Sequence, residues 1–267
     1  MKKTFLLSCL MLAAMPVMAA YTGHVYVDKN KNGVFDQSEK PLAGIKVSDG
    51  LNVVETAADG SFTLPGHERE RFIFITTPSG YKTFNRHYHK IEKKQSGYDF
   101  GLIPYSGRIR KDGSHRYIHI TDTEIFNTEN HADWVNNVHD YARNEQAAFI
   151  IHTGDICYEK GLKAHIKLMN TENMDCPVFY CIGNHDLVKG KYGEELFESI
   201  YGPVYYSFDA GNVHYVVTPM PGGDHAPGYT SDDVCRWLKN DLAHIRPGTP
   251  VVVFNHDLLT YEDTFIF

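Results

Sequence analysis

Short apolar runs, rich in β-branched and aromatic residues, recur along residues 21–106 and are separated by Gly, Pro, Asp and Asn. Examples are GHVYV (23–27), GIKVSDG (44–50) and RFIFITTPSGY (71–81). Such runs predict strands, and the residues between them predict turns. Because we find no segment with helical periodicity here, the pattern predicts a small all-β sandwich domain.

A polar, basic linker occupies residues 105–116, and a different pattern follows it. From Tyr117 onward, apolar runs alternate with stretches whose apolar residues recur at helical spacing. The apolar runs lie at residues 117–120, 147–151, 177–182 and 251–254. This alternation predicts an α/β layered domain over residues 107–267.

Three helices are predicted between these strands. They fall at residues 131–146, within 160–172 and at 231–245. In the first, Trp134, Val138 and Tyr141 are expected to share one face. In the third, Ser231 is expected to be the N-cap.

The first twenty residues have the features of a cleaved export signal: Lys2 and Lys3, an apolar run over 5–18, and small residues at the end. That run is shorter than the roughly 20 apolar residues of a membrane-spanning helix, and no later run is long enough. A lipoprotein site at Cys9 is a less favoured alternative. We therefore expect an exported protein without a transmembrane segment, periplasmic or at the cell surface.

The net charge and the cysteines indicate which partners and metal sites to expect. The chain of 267 residues carries a formal net charge of −7, whereas nucleic-acid-binding domains are more often basic, so no nucleic-acid partner is expected. Four cysteines follow the predicted cleavage site: Cys157, Cys176, Cys181 and Cys235. They form no Cys-x-x-Cys pair, which disfavours a zinc knuckle, and export permits either disulfides or buried thiols.

Polar, chemically active residues follow four of the predicted strands. They are Asp122, Asp155, the triplet Asn184, His185 and Asp186, and His256. Ligands of open α/β sheets bind outside the carboxyl ends of the strands, so we expect these side chains to share one rim. Crowded carboxylates are costly unless a cation holds them, and these oxygen and nitrogen donors suit first-row metals.

The ordered motifs TDTE, TGDI, GNHD and FNHD resemble those of the calcineurin-like metallophosphoesterases. They occupy residues 121–124, 153–156, 183–186 and 254–257, and the resemblance covers residues 117–267. It implies an α/β layered core of the αββα sandwich type. The preceding all-β domain resembles the N-terminal module of exported bacterial members.

The resemblance also implies a reaction: hydrolysis of a phosphomonoester or phosphodiester, on a phosphorylated small molecule or surface polymer. Two divalent or trivalent metal ions (Mn, Fe or Zn) would hold a bridging hydroxide as nucleophile. Asp122 and Glu124 would bind the first metal, Asn184 and His256 the second, and Asp155 both.

Two further roles follow from the same resemblance. His185 would stabilise the transition state or protonate the leaving oxygen, and Asp186 would orient its ring. His225 lies in a loop rich in Gly and Pro and is a further candidate to approach the substrate.

Two departures from the family pattern bear on activity. Glu124 stands where the family usually has His; it would favour Mn or Mg if it binds metal, or it is a rim carboxylate that binds nothing. The family's final Gly-His-x-His has no counterpart before Phe267, so we expect an incomplete αββα sandwich. The alternative function is a catalytically impaired chain that acts as a cell-surface binding module.

The segment DKNKNGVFDQSE (28–39) fits the twelve-residue pattern of calcium loops, with Gly33 at the sharp turn. The expected ligands are Asp28, Asn30, Asn32, Val34 through its carbonyl, Asp36 and Glu39. Two neutral ligands predict modest affinity and a structural role. The alternative is a polar hairpin loop that binds no metal.

Overall fold

The structure is a computed structural model, and it describes residues 20–95, 97–105 and 108–257. Residues 1–19 of the predicted export signal, the predicted domain boundary at 106–107, and residues 258–267 lie outside the described residues. Each helix within the described ranges is too short or too polar to cross a bilayer.

The N-terminal region folds into two sheets of short strands. The strands are β1 (Tyr21–Val27), β2 (Lys40–Pro41), β3 (Lys46–Ser48), β4 (Val53–Glu55), β5 (Ser61–Leu64), β6 (Phe72–Ile75), β7 (Tyr81–Thr83), β8 (Tyr88–Lys90) and β9 (Phe100–Pro104). One sheet has the order β2-β1-β9-β7 with β5 beside β1, and the other the order β4-β3-β6-β8.

A single apolar core joins these two sheets. Val25, Leu64 and Leu102 of the first sheet and Val47 and Ile73 of the second are fully buried within it. Packing two sheets face to face is how a domain of short strands removes its apolar side chains from water. The all-β prediction is confirmed.

The C-terminal region alternates strands and helices. Its elements are β10 (Tyr117–Ile120), α1 (Thr128–Asn144), β11 (Phe149–Thr153), α2 (Tyr158–Leu168), β12 (Val178–Cys181), α3 (Glu195–Tyr201), β13 (Tyr206–Ala210), β14 (Val213–Val217), α4 (Ser231–Leu242) and β15 (Val251–Phe254). The strands β10, β11 and β12 form a parallel sheet. In the second sheet, β13 and β14 are antiparallel, and β15 runs parallel to β14.

Aromatic side chains hold these two sheets together. The rings of Phe179 and Phe208 stack with centroids 3.7 Å apart, and those of Phe149 and Tyr215 meet at 5.0 Å. On the opposite face of the first sheet, Ile150 packs in a cluster with residues of α1. Because both faces of β11 are covered, all five of its residues are buried. The α/β layered prediction is confirmed.

The buried face of α1 is not the one that carries the predicted stripe. Val135 and Ala142 are buried, while the side chains of Trp134 and Tyr141 are 37% and 59% exposed. Small and β-branched side chains let the helix lie close to the sheet, and the aromatic residues occupy the adjacent, outer face. Trp134, Val138 and Tyr141 share one face of α1, as predicted, but that face is not the buried one.

The N-cap of α4 is Thr230 rather than the predicted Ser231. The hydroxyl of Thr230 accepts a hydrogen bond from the backbone N–H of Asp233 at 3.2 Å. In return, the carboxylate of Asp233 accepts one from the backbone N–H of Thr230 at 2.9 Å. This reciprocal pair is a capping box, and it fixes the start of the helix one residue earlier than predicted.

The two regions share an apolar contact and several polar ones. Phe72 and Phe74 of the all-β region belong to the same apolar cluster as Phe208 and Trp237 of the α/β region. A backbone bridge joins Thr77 to Phe208. The all-β region therefore packs directly against the layer that carries β13 and α4.

Candidate metal centre

The polar residues that follow four strands meet at one rim, as predicted. Asp122, Asp155 and His256 each place one potential ligand atom within 4.8 Å of the other two. The Nε2 atom of His256 lies 3.4 Å from Oδ2 of Asp155 and 3.1 Å from Oδ1 of Asn184. Residues after β10, β11, β12 and β15 thus form one cluster of oxygen and nitrogen atoms.

Two glycines permit this convergence. A Cβ atom on Gly183 would lie 2.2 Å from the backbone nitrogen of Asp155, and one on Gly154 would lie 2.5 Å from the nitrogen of Gly183. The turns that follow β11 and β12 therefore touch backbone to backbone, which any side chain would prevent. This contact brings Asp155 beside Asn184.

Strained backbone surrounds the cluster. Within the described residues, five of the eight non-glycine residues with positive φ lie in the loops after β10 and β11 or at the first residue of α2. They are Asp122 (52°), Glu124 (42°), Asp155 (52°), Cys157 (77°) and Tyr158 (54°). Such conformations cost roughly 1–3 kcal/mol each and cluster at functional sites. The strain marks these loops as a site rather than as ordinary connections.

Hydrogen bonds fix the orientation of His256 and Asp155. Nδ1 of His256 donates to the carbonyl of Thr153 at 2.6 Å, so Nε2 faces the cluster. The hydrogen bond to Asp155 raises the pKa of His256 to about 9. Burial alone would raise the pKa of Asp155, but hydrogen bonds from His256 and from the N–H of His185 lower it overall. Each of the two side chains therefore stabilises the charged form of the other.

Two family models match the chain. One, described as the N terminal of calcineurin-like phosphoesterase, matches residues 29–104, and the other, described as calcineurin-like phosphoesterase, matches residues 115–264, more than half of the chain. The chain belongs to the calcineurin-like phosphoesterase family. The predicted family and fold class are confirmed. A search of curated proteins finds no match to this chain.

Membership supports metal-dependent hydrolysis of phosphate esters as the general chemistry of this phosphoesterase. The described part of the phosphoesterase region also contains groups able to hold a metal ion. Carboxylate, amide and imidazole donors are ligands that divalent first-row metals accept. The donor set therefore fits the cofactor class that the family implies.

Glu124 stands apart from this cluster. The triad of potential ligands within 4.8 Å contains Asp122 but not Glu124, although the backbone N–H of Glu124 donates to the carbonyl of Asp155 at 3.3 Å. Its side chain is exposed at the rim. The role of Glu124 as a metal ligand stays a prediction.

The residue that contacts the His185 ring is not the predicted one. Both carboxylate oxygens of the buried Asp186 accept backbone N–H groups, from Cys157 at 2.9 Å and Gly183 at 3.0 Å. Nδ1 of His185 instead lies 2.9 Å from Oδ2 of Asp224. The prediction that Asp186 orients this ring is therefore corrected: Asp186 fixes the turn, and Asp224 contacts the imidazole.

Asp224 lies in the same Gly- and Pro-rich loop as His225, which is exposed. The sequence pointed to this loop but to its histidine rather than to the neighbouring aspartate. The signal that could have found Asp224 is a carboxylate next to paired glycines, which is common in ordinary loops. Its partner lies 39 residues away along the chain, so no local spacing revealed it.

The predicted calcium loop closes on its own carboxylates. Asp28 and Glu39 are buried, at 1% and 7% exposure. The carboxylate of Asp28 accepts the backbone N–H groups of Asn32 at 3.2 Å and Gly33 at 2.9 Å. That of Glu39 accepts the N–H of Asp36 at 3.1 Å. The first and last acidic residues of the segment thus turn inward.

The remaining predicted calcium ligands lie between these two. Oδ2 of Asp36 accepts from the side-chain amides of Asn30 at 2.7 Å and Asn32 at 2.9 Å. The N–H of Val34 donates to Oδ1 of Asn32 at 2.8 Å, while its side chain is 57% exposed. The loop is folded around its oxygen atoms; calcium binding by these residues stays a prediction.

A third group of potential ligands, Asp49, His67 and Glu70, was missed by the sequence reading. Nε2 of His67 lies 3.6 Å from Oδ1 of Asp49. That same oxygen accepts the N–H groups of Leu51 at 3.0 Å and Asn52 at 2.7 Å. Asp49 is therefore already engaged in shaping its turn, and no motif spacing links the three residues.

Proposed function

We propose that this protein hydrolyses phosphate esters at the rim formed by the ends of β10, β11, β12 and β15. The observation that carries the proposal is the convergence of Asp122, Asp155 and His256 within 4.8 Å, with the Asn184 amide oxygen 3.1 Å from His256. Substrates would be phosphomonoesters or phosphodiesters of a small molecule or a surface polymer.

Two metal ions, from among Mn, Fe and Zn, are proposed as cofactors. Asp122 would hold one ion, Asn184 and His256 the other, and Asp155 both. Bound there, such ions supply positive charge for the phosphate and lower the pKa of a water molecule. Because the cluster holds two acidic side chains, a cation would relieve their repulsion.

His185 would act on the substrate rather than on a metal. Its side chain is 36% exposed at the rim, and its backbone N–H donates to Oδ1 of Asp155 at 3.0 Å. That bond ties the backbone of His185 to the carboxylate of Asp155. The ring would donate a hydrogen bond to a phosphoryl or leaving oxygen.

A steady-state assay tests the proposal. The full chain is loaded with Mn²⁺, Fe²⁺ or Zn²⁺ and given p-nitrophenyl phosphate and bis-p-nitrophenyl phosphate. Asp155→Asn should lower kcat/KM by at least about 100-fold, because even residues that only orient metal ligands contribute that much. His185→Ala should lower it by about 10²-fold, within the range for a lost general acid or base. Asp133→Asn, an exposed carboxylate on α1, is the matched control.

Absence of turnover with all three metals, in protein shown to bind them, would contradict the proposal. Specific polysaccharide binding by that same inactive protein would favour the alternative, a surface-binding module.

We also propose that the loop at residues 28–39 binds one Ca²⁺ ion in a structural role. Its support is the inward position of the Asp28 and Glu39 carboxylates, which are buried. Backbone N–H groups already donate to both carboxylates, and a cation would offset the remaining cost of burying two negative charges. Export through the segment at residues 1–20 would expose the loop to the millimolar calcium that such modest sites require.

A further inference from the structure

We propose that Asp224 is a positioning residue for His185, and that the all-β region holds the loop that presents it. This inference rests on the proposed function, because it assigns His185 its orientation in that reaction. Oδ2 of Asp224 lies 2.9 Å from Nδ1 of His185. With Nδ1 engaged, Nε2 is the ring nitrogen left to reach a substrate oxygen.

The loop that carries Asp224 sits directly on the turn that carries His185. The backbone N–H of Asp224 donates to the carbonyl of Asn184 at 3.1 Å. A Cβ atom on Gly223 would lie 2.6 Å from that same carbonyl oxygen. The loop and the turn are therefore in backbone contact, so a displacement of one moves the other.

Further bonds fasten the loop along its length. The hydroxyl of Tyr229 donates to the carbonyl of Met220 at 2.7 Å and closes the loop at its base. The N–H of Gly193 donates to the carbonyl of Ala226 at 2.8 Å. The carboxylate of Glu194 accepts the N–H of Gly228 at 2.9 Å.

The all-β region reaches this loop through two arginines that precede β6. Arg71 pairs with the fully buried Glu194 at 2.7 Å, the same carboxylate that accepts from Gly228. Arg69 donates directly to the carbonyl of Gly228 at 3.0 Å. If the loop moved away from Arg71, the buried charge of Glu194 would lose its partner, which is strongly destabilising. These contacts therefore hold the loop in place.

A variant of Asp224 tests the first step. Asp224→Asn keeps the size of the side chain but removes its charge, so the hydrogen bond that orients the His185 ring is weakened. We expect kcat to fall by at least about tenfold while KM and bound metal stay unchanged. Asp224→Glu should recover part of the loss, and Asp232→Asn, an exposed carboxylate on α4, should match the wild type.

A measurement independent of turnover separates this inference from the proposed function. Two-bond ¹H–¹⁵N spectra of ¹⁵N-histidine-labelled protein report which ring nitrogen carries the proton, and His185→Gln identifies the signal. Asp224→Asn should shift the His185 signal, and Asp232→Asn should not. A shift in a protein without phosphatase activity would overturn the proposed function alone; an active wild type with an unchanged kcat and signal in Asp224→Asn would overturn the positioning role.

Variants in the all-β region test the second step. Arg71→Met should lower kcat about tenfold and shift the same signal, since removing one partner of a buried pair disturbs what the other holds. Lys46→Met is the matched control, because Lys46 also joins the two regions, through Asp209 at 3.5 Å, without contacting the loop.

Should Arg71→Met fail to fold, Arg69→Ala removes a 52% exposed side chain instead and should lower kcat about threefold. If Arg69→Ala behaves as Lys46→Met does in both kcat and the His185 signal, the holding role of the all-β region is overturned.

Discussion

The candidate calcium loop draws its oxygen atoms from the consecutive residues 28–39, whereas the candidate metal centre draws its ligands from strand ends spread between residues 122 and 256. In the loop, neighbouring N–H groups satisfy the buried carboxylate of Asp28. In the centre, Asp155 is satisfied in part by His256, which arrives on another sheet. The first site depends on a local turn, and the second on the packing of two sheets.

The two sites also differ in how their glycines are surrounded. A Cβ atom on Gly33 would meet the ring of Phe84 at 3.2 Å, a side chain that can move. A Cβ atom on Gly183 would meet the nitrogen of Asp155 at 2.2 Å and its Oδ1 at 2.3 Å, atoms held by the sheet. A substitution should therefore be absorbed in the loop but transmitted to the ligands in the centre.

The largest expected effect follows from this difference. Gly183→Ala should lower Mn²⁺ affinity by about 100-fold, because it displaces the central carboxylate. Gly33→Ala should leave Mn²⁺ affinity unchanged and cost about 1–2 kcal/mol of unfolding free energy, since φ at this position is positive. Isothermal titration with Mn²⁺ and urea denaturation measure the two quantities. Equal Mn²⁺ affinities in the two variants would break the comparison.

A smaller effect should separate the two acidic residues after β10. Asp122→Ala should weaken Mn²⁺ binding at least about tenfold, because even residues that merely orient ligands contribute that much. Glu124→Ala should change it less than about threefold, because Glu124 lies outside the 4.8 Å triad. Titration of both variants under one buffer condition makes the comparison. Equal losses would establish Glu124 as a ligand.

The position of the rim could be predicted from the sequence because Asp122, Asp155, Asn184 and His256 each follow the end of a strand by two or three positions, as Asp122 follows Ile120. An apolar stripe along a helix does not by itself identify the face that packs against a sheet. Trp134 and Tyr141 fit a helical stripe, yet the sheet accepts the smaller Val135 and Ala142.

Contacts between distant loops were out of reach for a different reason. His185 and Asp224 are 39 residues apart, and their contact depends on the close backbone approach of two loops at Gly223. The spacing of apolar residues along the chain carries no information about such a contact between loops. The ring partner was therefore assigned to the adjacent Asp186, whose carboxylate is occupied by backbone N–H groups.

Calcium should stabilise the protein by binding the loop at residues 28–39. If the site has the affinity of other extracellular modules, 10 mM Ca²⁺ should raise the unfolding free energy by about 1.4–2.7 kcal/mol. Glu39→Gln should remove most of that gain, because the inward carboxylate loses its charge. Thermal unfolding with Ca²⁺ or with Mg²⁺ measures it, and Glu92→Gln, outside the loop, is the control. An equal gain in Glu39→Gln would show that calcium acts elsewhere.

The contact that joins the two regions should make the unfolding free energy depend on pH. Burial raises the pKa of Glu198 from 4.5 to about 7, opposed by Arg71 and assisted by the neighbouring Glu194. Between these two values the folded state holds a proton that the unfolded state has released. Unfolding free energy should therefore fall by up to about 3 kcal/mol as pH rises from 4.5 to 7, and then level off.

Glu198→Gln should remove this pH dependence, because glutamine keeps a polar side chain beside Arg71 but does not titrate. Glu195→Gln, on the more exposed side of α3, should retain the wild-type slope. Urea denaturation at half-unit pH steps provides the difference between variants, which cancels the titration of all other groups. A Glu198→Gln profile parallel to that of the wild type would mean that Arg71 keeps Glu198 ionised throughout, and that the joint between the two regions is a fully charged network at every pH of the series.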